Sequence, residues 1–491
     1  MGQYQWRGTL GRVNTMKTAT SPAPLRSDFI KQLSAGLASH QLLTDPADCH
    51  SYGYDNSTLQ GQPIAVALPE SHQQVKTIVA ACRTHGVSLI TRGQATGTTG
   101  ATVPVDDRTL MLSMQRMDNI MEINRDNRLM VVQPGVTNQA VQDAAAELGF
   151  FWPPDPTSAS VCTIGGNLAY NSAGPRAVKY GTPRENTLAL KAVTGAGESL
   201  HTGVRTTKGV VGYDLTRLLI GSEGTLAIIT EATLKLTPLQ PAKRTLRATY
   251  RDVHSAACAV SNIMAQAVTP CALEFMDANA INMVRNNAPA SLPADAGALL
   301  MIEVDGIESQ LDELVSRVVE AASVDGSLQI QRAKSAQEVT ALWETRKALS
   351  PALRRVAPKK INEDVVVPVS RMPELVDRLA ILSEKHAIQI INFGHAGNGN
   401  LHVNLLYDPD AAGEKQRTEA CLKDVFAAVL ELEGTISGEH GIGLVKRDWV
   451  AKELDQTSLN LMHAIKKQFD PDGILNPGKT LPDGDTLDKQ P

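Results

Sequence analysis

Residues 394–404 read Gly-His-Ala-Gly-Asn-Gly-Asn-Leu-His-Val-Asn, and they follow the largely apolar stretch 388–393, Ile-Gln-Ile-Ile-Asn-Phe. The apolar stretch is typical of a buried strand, and residues 401–405 alternate apolar and polar side chains with the period of a second strand. The glycines and asparagines between them are typical of a turn. The sequence therefore predicts two strands joined by a glycine-rich loop, with His402 and Asn404 on one face.

A candidate site is predicted where this loop meets a second glycine-rich stretch, residues 434–443. His395 stands at the entrance of the first loop, and His402 follows in the strand. Glu439 and His440 lie between glycines in the second stretch. Two histidines and a glutamate are a common set of ligands for a divalent metal that keeps coordination positions open. Converging imidazoles also suit an anionic substrate. The alternative is that the histidines lie on the surface of a polar turn.

Length and composition set the broad class. The chain has 491 residues, enough for two or more domains, and a formal net charge of −5 without a long basic run, so no nucleic-acid partner is expected. No apolar stretch approaches the roughly 20 residues needed to span a bilayer, and the polar N-terminus lacks a signal-peptide pattern. The cysteines form no CxxC pair and are predicted to be reduced core residues of a cytoplasmic protein. They are Cys49, Cys82, Cys162, Cys258, Cys271 and Cys421.

Other glycine-rich segments lie earlier in the chain. Residues 91–100 follow a predicted strand, and such loops expose backbone N–H groups that can hold a phosphate or pyrophosphate. The glycine spacing is not that of a dinucleotide-binding GxGxxG motif, and a plain surface loop is the alternative. Residues 153–174 form a long segment with little helical or strand pattern, which inside a domain is usually functional. Residues 221–230 again place a glycine-rich loop before a strand.

Residues 473–480 fit the pattern GxxxxGK[ST] of a nucleotide-binding P-loop. That mechanism requires a strand before the loop and a helix after it, so that the helix N-terminus faces the phosphates. Here a predicted helix precedes the loop, and the polar residues that follow have no helical pattern. The match is therefore interpreted as fortuitous.

Local signals predict the following elements. We expect a helix from Ser27 to about Leu43, a helix capped by Ser71 and ended by Gly86, and a helix capped by Thr137 that stops at Gly149. After about residue 241, strands alternate with amphipathic helices, which indicates an α+β second domain. From about residue 412 the pattern is mostly helical.

Taken together, six motifs resemble those of the FAD-linked oxidoreductases of the vanillyl-alcohol oxidase superfamily. Within it they are similar to the D-2-hydroxy acid dehydrogenases: D-lactate dehydrogenase, D-2-hydroxyglutarate dehydrogenase and the glycolate oxidase flavin subunit. The motifs are residues 92–100, 154–174, 221–230, 395–404, the pair Glu439-His440, and residues 476–479.

The resemblance implies an α+β fold in which a two-subdomain FAD-binding domain is followed by an antiparallel-sheet cap domain and a C-terminal helical segment that returns to the FAD. We place the FAD-binding domain at residues 27–240, the cap or substrate domain at 241–411 and the C-terminal segment at 412–491. Residues 1–26 are predicted to form a disordered N-terminus.

The resemblance also implies roles for individual residues. The FAD pyrophosphate would be held by Arg92, Gly93, Gln94, Ala95, Thr96, Gly97, Thr98, Thr99 and Gly100. The flavin would be lined by Pro154, Asp155, Ser158, Gly165, Gly166, Asn171 and Gly174, with Glu223, Gly224 and Ile229 behind it and Asn476 and Lys479 closing the site. His395, His402 and Glu439 would bind a divalent metal, zinc in preference to Mn²⁺ or Fe²⁺. The substrate would contact Asn404, Arg346, Ser350, Lys360 and His440, the last of these as the catalytic base.

The sequence departs from the family pattern at three places. Gln94-Ala95 replaces the usual pair of glycines, so the backbone there approaches a ligand less closely. Thr96 stands near the position at which relatives with covalently bound FAD carry a histidine, which indicates non-covalent FAD. Asn362 stands near the position of a lysine in the 2-hydroxyglutarate enzymes, with Lys359 and Lys360 out of register.

The expected reaction is oxidation of a D-2-hydroxy acid to the 2-oxo acid with hydride transfer to the flavin, D-lactate to pyruvate in the first place. D-2-Hydroxyglutarate and D-malate are alternatives. Flavoenzymes of sugar lactones or ether lipids, and a metal-binding protein without catalysis, are the competing classes. Without a second redox motif, electrons would leave to a separate acceptor such as a quinone, a cytochrome, an electron-transfer flavoprotein or oxygen. The expected location is cytoplasmic, with peripheral attachment to the inner membrane and a homodimer as options.

Overall fold

The computed structural model of this protein describes residues 23–285 and 294–483, with side chains from residue 27 onward. Of residues 1–26, which were predicted to be disordered, residues 1–22 lie outside the described residues and residues 23–26 belong to the first helix. The first helix, Ala23–Gly36, begins four residues before the predicted cap Ser27 and ends well before Leu43. A 3₁₀ turn, Ser39–Gln41, and the short strand Leu42–Leu43 follow it, so the predicted helix was too long.

The first sheet has four strands and a parallel centre. Its strands, in spatial order, are Leu42–Leu43, Ala65–Ala67, Thr109–Ser113 and Ser88–Arg92. The helix His72–His85 packs on it through Val75, Ile78 and Val79. As predicted, the Ser71 hydroxyl caps this helix, and Gly86 ends it in the left-handed conformation that glycine adopts without strain.

The second sheet is antiparallel and has five strands. In spatial order they are Ile120–Asn124, Leu129–Val132, Ala227–Lys235, Thr187–Thr194 and Ser199–Gly203. The helices Asn138–Ala146, Ile164–Tyr170 and Leu215–Leu219 pack on this sheet, whereas the short helix Ala177–Tyr180 contacts the later strand Ala272–Asp277. Thr137 caps the first of these as predicted. A two-stranded pairing of Phe150–Phe151 with Thr237–Pro238 closes this part of the chain.

The helix Ile164–Tyr170 lies inside the segment 153–174, for which no regular structure was predicted. The Thr163 hydroxyl accepts a hydrogen bond from Gly166 N at its start, and Asn171 ends it with a φ of 57°. With seven residues, two of them glycine, the helix is too short to show a helical period in the sequence. The prediction missed it for that reason.

The third part is an antiparallel sheet of seven strands, here called the cap sheet. Its strands, in spatial order, are Ser327–Arg332, Ala242–Tyr250, Ala298–Gly306, Ala272–Asp277, Gln389–His395, Asn400–Tyr407 and Lys359–Val366. Alternate residues of the strand Ala298–Gly306 enter different core clusters, Leu300 and Ile302 one and Leu299 and Met301 the other. Both faces of the sheet are therefore covered.

Different helices cover the two faces of the cap sheet. One core cluster is shared by the helices Val253–Ala265, Glu308–Ala322, Met372–His386 and Glu414–Glu431. The opposite cluster is shared by the helices Ala278–Val284 and Ala336–Val356. The helix Glu414–Glu431, which lies beyond the expected domain boundary at residue 411, thus packs into the core of the cap sheet.

The last part of the chain returns to the first sheet. After the helices Val450–Glu453 and Gln456–Phe469, Ile474 O accepts a hydrogen bond from Leu89 N, and Asn476 N donates to Leu89 O. Up to residue 483 no helix follows the P-loop-like residues 473–480.

All six cysteines are free thiols, as predicted, and five of them are buried. Within the two described ranges, no helix is both long and apolar enough to cross a membrane.

Candidate active site

The cap sheet places two histidines side by side. The strands Gln389–His395 and Asn400–Tyr407 are antiparallel neighbours, as the sequence predicted, and Phe393 pairs with His402. Because register partners share a face and side chains alternate along a strand, His395 and His402 lie on the same face. Their ring centroids are 5.3 Å apart.

The connection between these strands requires glycine at one position. Gly399 has a φ of 72°, and a Cβ there would lie 1.9 Å from the carbonyl oxygen of Val367. The tight turn therefore depends on the absence of a side chain, which explains the glycine-rich composition of the loop.

The loop that carries Glu439 and His440 is tied to the cap sheet by one carboxylate. Asp364 Oδ2 accepts the consecutive backbone N–H groups of Gly438, Glu439 and His440 at 2.9, 2.6 and 2.8 Å. Asp364 belongs to the strand Lys359–Val366 and pairs with His402 in register. The same strand therefore fixes both halves of the predicted site.

His395, His402 and Glu439 can hold a metal ion. Each offers one ligand atom, and these atoms lie within 4.8 Å of one another. Glu439 Oε1 is 3.3 Å from His395 Nε2 and 3.9 Å from His402 Nε2. His402 Nδ1 is buried without a hydrogen-bond partner among the described residues. Two imidazoles and one carboxylate, with a fixed separation, suit a divalent cation.

Glu439 also connects the cap with the predicted flavin segment. Its second oxygen, Oε2, accepts hydrogen bonds from the backbone N–H groups of Ala173 and Gly174 at 3.3 and 2.9 Å. Gly174, which was predicted to line the flavin, thus makes a backbone contact with the candidate metal ligand.

Glu274 is a functional candidate that the sequence interpretation missed. Its Oε1 is 2.5 Å from His395 Nδ1, and its Oε2 accepts a hydrogen bond from Arg346 Nε at 2.7 Å. Burial lowers the pKa of His395, but the carboxylates of Glu274 and Glu439 outweigh this effect and raise it to about 10. The negative charge that favours a proton on His395 would equally favour a bound cation. A glutamate in the otherwise apolar stretch 272–276 was the available signal.

His440 lies against the metal set. Its ring stacks on that of His402, with centroids 5.1 Å apart and planes inclined by 22°. Its Nδ1 lies 3.5 Å from Asp364 Oδ1. Burial raises the pKa of Asp364, but the attraction of His440 and Lys446 and the hydrogen bonds to its oxygens outweigh this effect, so the pKa lies well below its usual range. Asp364 is therefore ionised beside His440.

A buried lysine compensates for this carboxylate. Lys446 Nζ lies 2.6 Å from Asp364 Oδ1 and 3.0 Å from Glu363 Oε2, and its side chain is 1% exposed. Neither Lys446 nor Asp364 was predicted, because nothing in the local sequence indicates that residues 82 positions apart form a pair.

The metal set opens into a cavity of about 500 Å³. Many of the residues predicted to bind FAD line it, and so do several predicted for metal or substrate. They are Gly93, Gln94, Ala95, Thr96, Gly97, Thr98, Ser158, Gly165, Gly166, Glu223, Gly224, Ile229, Arg346, Ser350, His395, His402, Glu439, His440 and Asn476. The structure thus brings together the loops 93–98 and 163–167 with the cap residues.

The walls of this cavity fit a flavin. Thr91 Oγ1 and Asn476 Oδ1 belong to wall residues and are buried without a hydrogen-bond partner in the described part of the chain, so they are available to a polar ligand. The backbone at Gly97 and Gly165 is packed closely on the protein side, because a Cβ would lie 2.6 Å from Tyr170 and Pro134, respectively. Such a wall lets a flat ligand approach the main chain.

The remaining predicted cofactor residues lie behind the wall. The Arg92 guanidinium donates to the carbonyls of Ser51, Tyr52 and Tyr54. Thr99 O accepts from Leu444 N, and Gly100 has a φ of 78°. These residues hold the loop in place rather than line the cavity.

The segment 154–171 contributes further supporting contacts. Pro154 O accepts a hydrogen bond from the Asn138 amide, and Asp155 forms an ion pair with Arg176 at 3.0 Å. Asn171 Oδ1 accepts a hydrogen bond from the Thr182 hydroxyl at 3.0 Å.

The C-terminal residues support the same wall. Lys479 Nζ donates to the carbonyls of Ala101 and Val103, both at 2.7 Å. Glu223 accepts hydrogen bonds from the N–H groups of Ile442 and Gly443, so it fastens the loop after His440 to the flavin side.

The predicted substrate residues differ in position. Arg346 and Ser350 line the cavity, together with Asn362 and Lys347, which were not predicted to bind substrate. Lys360 is not part of the lining, but its Nζ lies 3.5 Å from the Ser350 hydroxyl.

Asn404 lies behind His402 on the cap strand. Its amide nitrogen donates to the carbonyls of Ile391 and His402. Its Oδ1 is buried and has no hydrogen-bond partner within the described ranges.

Comparison with known families agrees with this architecture. Residues 63–203 match the model of an FAD binding domain, and residues 239–480 match that of the C-terminal domain of FAD linked oxidases. A crystal structure of p-cresol methylhydroxylase with substrate bound superposes with a TM-score of 0.77 at 16% identity, covering 94% of this chain and 98% of that one. The predicted fold, a two-part FAD-binding region with an antiparallel cap, is confirmed.

Curated relatives are similar over most of their length. Glycolate oxidase subunit GlcD of Bacillus subtilis (strain 168) is 38% identical, over 87% of this chain and 91% of the relative. D-2-Hydroxyglutarate dehydrogenase of Stutzerimonas stutzeri (strain A1501) is 32% identical over 92% and 98%, respectively. D-Lactate dehydrogenase of Anaerostipes hadrus is 32% identical over 90% and 95%. The chain belongs to the family of FAD-linked oxidases that contains these relatives, as the sequence motifs indicated.

Proposed function

We propose that this protein oxidises a D-2-hydroxy acid to the 2-oxo acid with FAD as hydride acceptor and a divalent metal, zinc in the first place, as Lewis acid. One observation carries the proposal: His395, His402 and Glu439 meet beside His440 in the same cavity that the glycine-rich loops of the FAD-binding region line. The names of the relatives, which include glycolate, D-lactate and D-2-hydroxyglutarate enzymes, support the class of substrate.

The metal, when bound by the three ligands, would supply positive charge to the hydroxyl and carboxylate oxygens of the substrate and lower the pKa of the hydroxyl. His440 is the proposed base that takes the hydroxyl proton. Its Nδ1 is the nitrogen next to the ionised Asp364, which leaves Nε2 for the substrate. Asp364 also stabilises the imidazolium that forms when His440 accepts the proton.

FAD, when bound in the cavity, would supply the acceptor for the hydride of the α-carbon. We propose that it is held non-covalently, because Thr96, which lines the cavity, cannot form the bond that a histidine forms in covalent relatives. Acid precipitation of the purified protein distinguishes the two states. A colourless pellet with all flavin in the supernatant is expected, and flavin in the pellet would refute non-covalent binding.

We further propose a short substrate, D-lactate in preference to D-2-hydroxyglutarate. Asn362 lines the cavity as a neutral side chain, and a second carboxylate entering there would need a cationic partner because an unpaired buried charge is costly. One missing charge-assisted contact costs roughly 2–3 kcal/mol, or about 30- to 150-fold in kcat/KM.

D-2-Hydroxyglutarate remains the second candidate because of the cations at the rim of the cavity. Lys347 lines it, and Lys360 reaches the hydroxyl of Ser350. These groups could meet a distal carboxylate in place of the missing lysine at position 362.

A panel of D- and L-2-hydroxy acids, assayed with an artificial dye acceptor, tests the proposal. We expect D-lactate to be oxidised with the higher kcat/KM, and treatment with a chelator to abolish turnover without releasing FAD. A higher kcat/KM for D-2-hydroxyglutarate, by about tenfold or roughly 1.4 kcal/mol, would transfer the assignment to the second candidate. Activity on sugar lactones alone would refute the class. The dye stands in for the proposed separate acceptor, a quinone, a cytochrome or an electron-transfer flavoprotein.

A further inference from the structure

We propose that Glu274 couples the metal site to the substrate-binding arginine, so that one buried carboxylate positions both His395 and Arg346. This inference rests on the proposed function and adds a positioning residue to it. Glu274 lies on the strand Ala272–Asp277, and its side chain is 1% exposed. Glu274 does not itself line the cavity, but it contacts two residues that do, His395 and Arg346.

The cap sheet brings Glu274 and His395 together by strand register. Glu274 is the register partner of His395 in the antiparallel pair, so their side chains share a face. Oε1 contacts His395 Nδ1 at 2.5 Å. A carboxylate that accepts a hydrogen bond from Nδ1–H leaves Nε2 as the ligand nitrogen and fixes the orientation of the ring. His395 Nε2 indeed faces Glu439 Oε1 at 3.3 Å.

The second oxygen of Glu274 orients Arg346. This arginine extends from the helix Ala336–Val356, which covers the same face of the sheet. Its Nε donates to Glu274 Oε2 at 2.7 Å, and its guanidinium carbon lies 4.9 Å from the centre of the Phe393 ring. With Nε held from behind, the terminal nitrogens remain for the carboxylate of a ligand in the cavity, which Arg346 lines.

Glutamine at this position would be diagnostic because it cannot satisfy both neighbours. An amide offers one acceptor oxygen and one donor NH₂ group. If the NH₂ group faces Arg346, two donors oppose each other and Arg346 must move. If it faces His395, the imidazole must place its proton on Nε2, which can then no longer bind a metal.

Glu274→Gln, purified with FAD, is the test, and Glu303→Gln is the matched control. Glu303 is a buried glutamate on the adjacent strand, where it pairs with Lys243, Thr245 and Trp343 and not with the site. Zn²⁺ affinity is measured by competition with a chelator after the metal has been removed. KM and kcat for D-lactate are measured separately.

In Glu274→Gln we expect Zn²⁺ affinity to fall by about 10- to 100-fold, or KM to rise by about tenfold, according to the orientation of the amide. Glu303→Gln should change neither. Unchanged Zn²⁺ affinity and KM in Glu274→Gln would overturn the proposal, as would equal losses in the control.

A second variant separates the two arms of the coupling. Arg346→Met should raise KM and leave Zn²⁺ affinity unchanged. If Glu274→Gln itself raises KM, Arg346→Met in that background should raise KM by less, because the two residues then act on one contact. Additive effects on KM in that case would overturn the coupling. If the wild-type protein oxidises no 2-hydroxy acid, the proposed function fails, while the Zn²⁺ measurement still decides whether Glu274 positions His395. A wild-type protein that binds no Zn²⁺ would overturn both.

Discussion

The two walls of the cavity differ in how they present chemistry to a ligand. The wall from the FAD-binding region is composed largely of glycine, alanine, threonine and serine, and Glu223 is its one carboxylate. The wall from the cap carries Arg346, His395, His402, Glu439 and His440. The first wall therefore works through the position of its main chain, and the second through ionisable side chains.

Each wall is stabilised in a corresponding way. Behind the cap wall lies a second layer of charges, in which Glu274, Asp364 and Lys446 hold the catalytic candidates through short contacts. The flavin wall is stabilised by close packing at its glycines and by hydrogen bonds from Arg92 and Lys479 to backbone carbonyl groups. We therefore expect substitutions in the cap wall to change metal binding or turnover, and substitutions in the flavin wall to change FAD binding when they alter side-chain volume.

The largest expected effect comes from removing the metal ligands. In a His395→Ala, His402→Ala double variant we expect bound metal to be lost, FAD to be retained and turnover to fall on the order of 10³-fold or more, because the charge that stabilises the developing alkoxide is missing. Elemental analysis and flavin absorbance provide the measurements. His72→Ala is a control, since His72 bonds to Thr230 and Ser199 away from the cap. Unchanged metal content in the double variant would place the ligands elsewhere.

The next effect concerns the proposed base. His440→Asn should keep its metal, because His440 is not among the ligands, and lose about 10²- to 10⁴-fold in turnover, the usual contribution of a general base. Stopped-flow reduction of the bound flavin by D-lactate measures the step directly. Near-normal reduction rates would show that another group accepts the proton.

A smaller effect is expected from added volume on the flavin wall. In Gly97→Ala the new Cβ would lie 2.6 Å from the Tyr170 hydroxyl, and overpacking of about 1–3 kcal/mol would weaken FAD binding by about 5- to 150-fold. Metal content should not change. Gly306→Ala on the cap sheet is the control, because its Cβ would make only ordinary contacts of 3.5 Å or more. Equal FAD affinity in both variants would argue against a closely packed wall.

The smallest effect is expected from removing a polar group on the same wall. Thr98 lines the cavity, but if the main chain holds the cofactor, Thr98→Ala should lower FAD affinity by less than about tenfold, the range of one neutral hydrogen bond. Equilibrium titration of the apoprotein with FAD gives the value. A loss as large as that in Gly97→Ala would show that side chains, and not backbone, hold the cofactor.

Local sequence signals predicted the elements that carry the histidines. Alternation of side chains and turn residues gave the strands Gln389–His395 and Asn400–Tyr407, and the caps Ser71 and Thr137 were placed correctly. These features depend on residues within a few positions of one another, so a single sequence contains them. The short helix Ile164–Tyr170 was missed because its two caps enclose too few residues to show a period.

The supporting charges could not be predicted in the same way. Glu274 and His395 are 121 residues apart, and Asp364 and Lys446 are 82 residues apart. Each pair forms because antiparallel strands or a loop return to the same face of the cap sheet. Proximity in sequence can also mislead. Lys360 is two positions from Asn362, where the 2-hydroxyglutarate enzymes carry a lysine, yet Lys360 does not line the cavity.

The sequence by itself determined the family, the glycine-rich loops and the identity of the two histidines and one glutamate, because these are properties of residue type and short-range spacing. The tertiary structure decided which atoms meet. It placed His395 and His402 beside Glu439. It also formed the hydrogen bonds of Glu274 with His395 and Arg346, and those of Asp364 with the backbone of residues 438–440. The physical reason is that buried charges are stable only when partners compensate them, and strand register and chain return bring those partners together from distant parts of the chain.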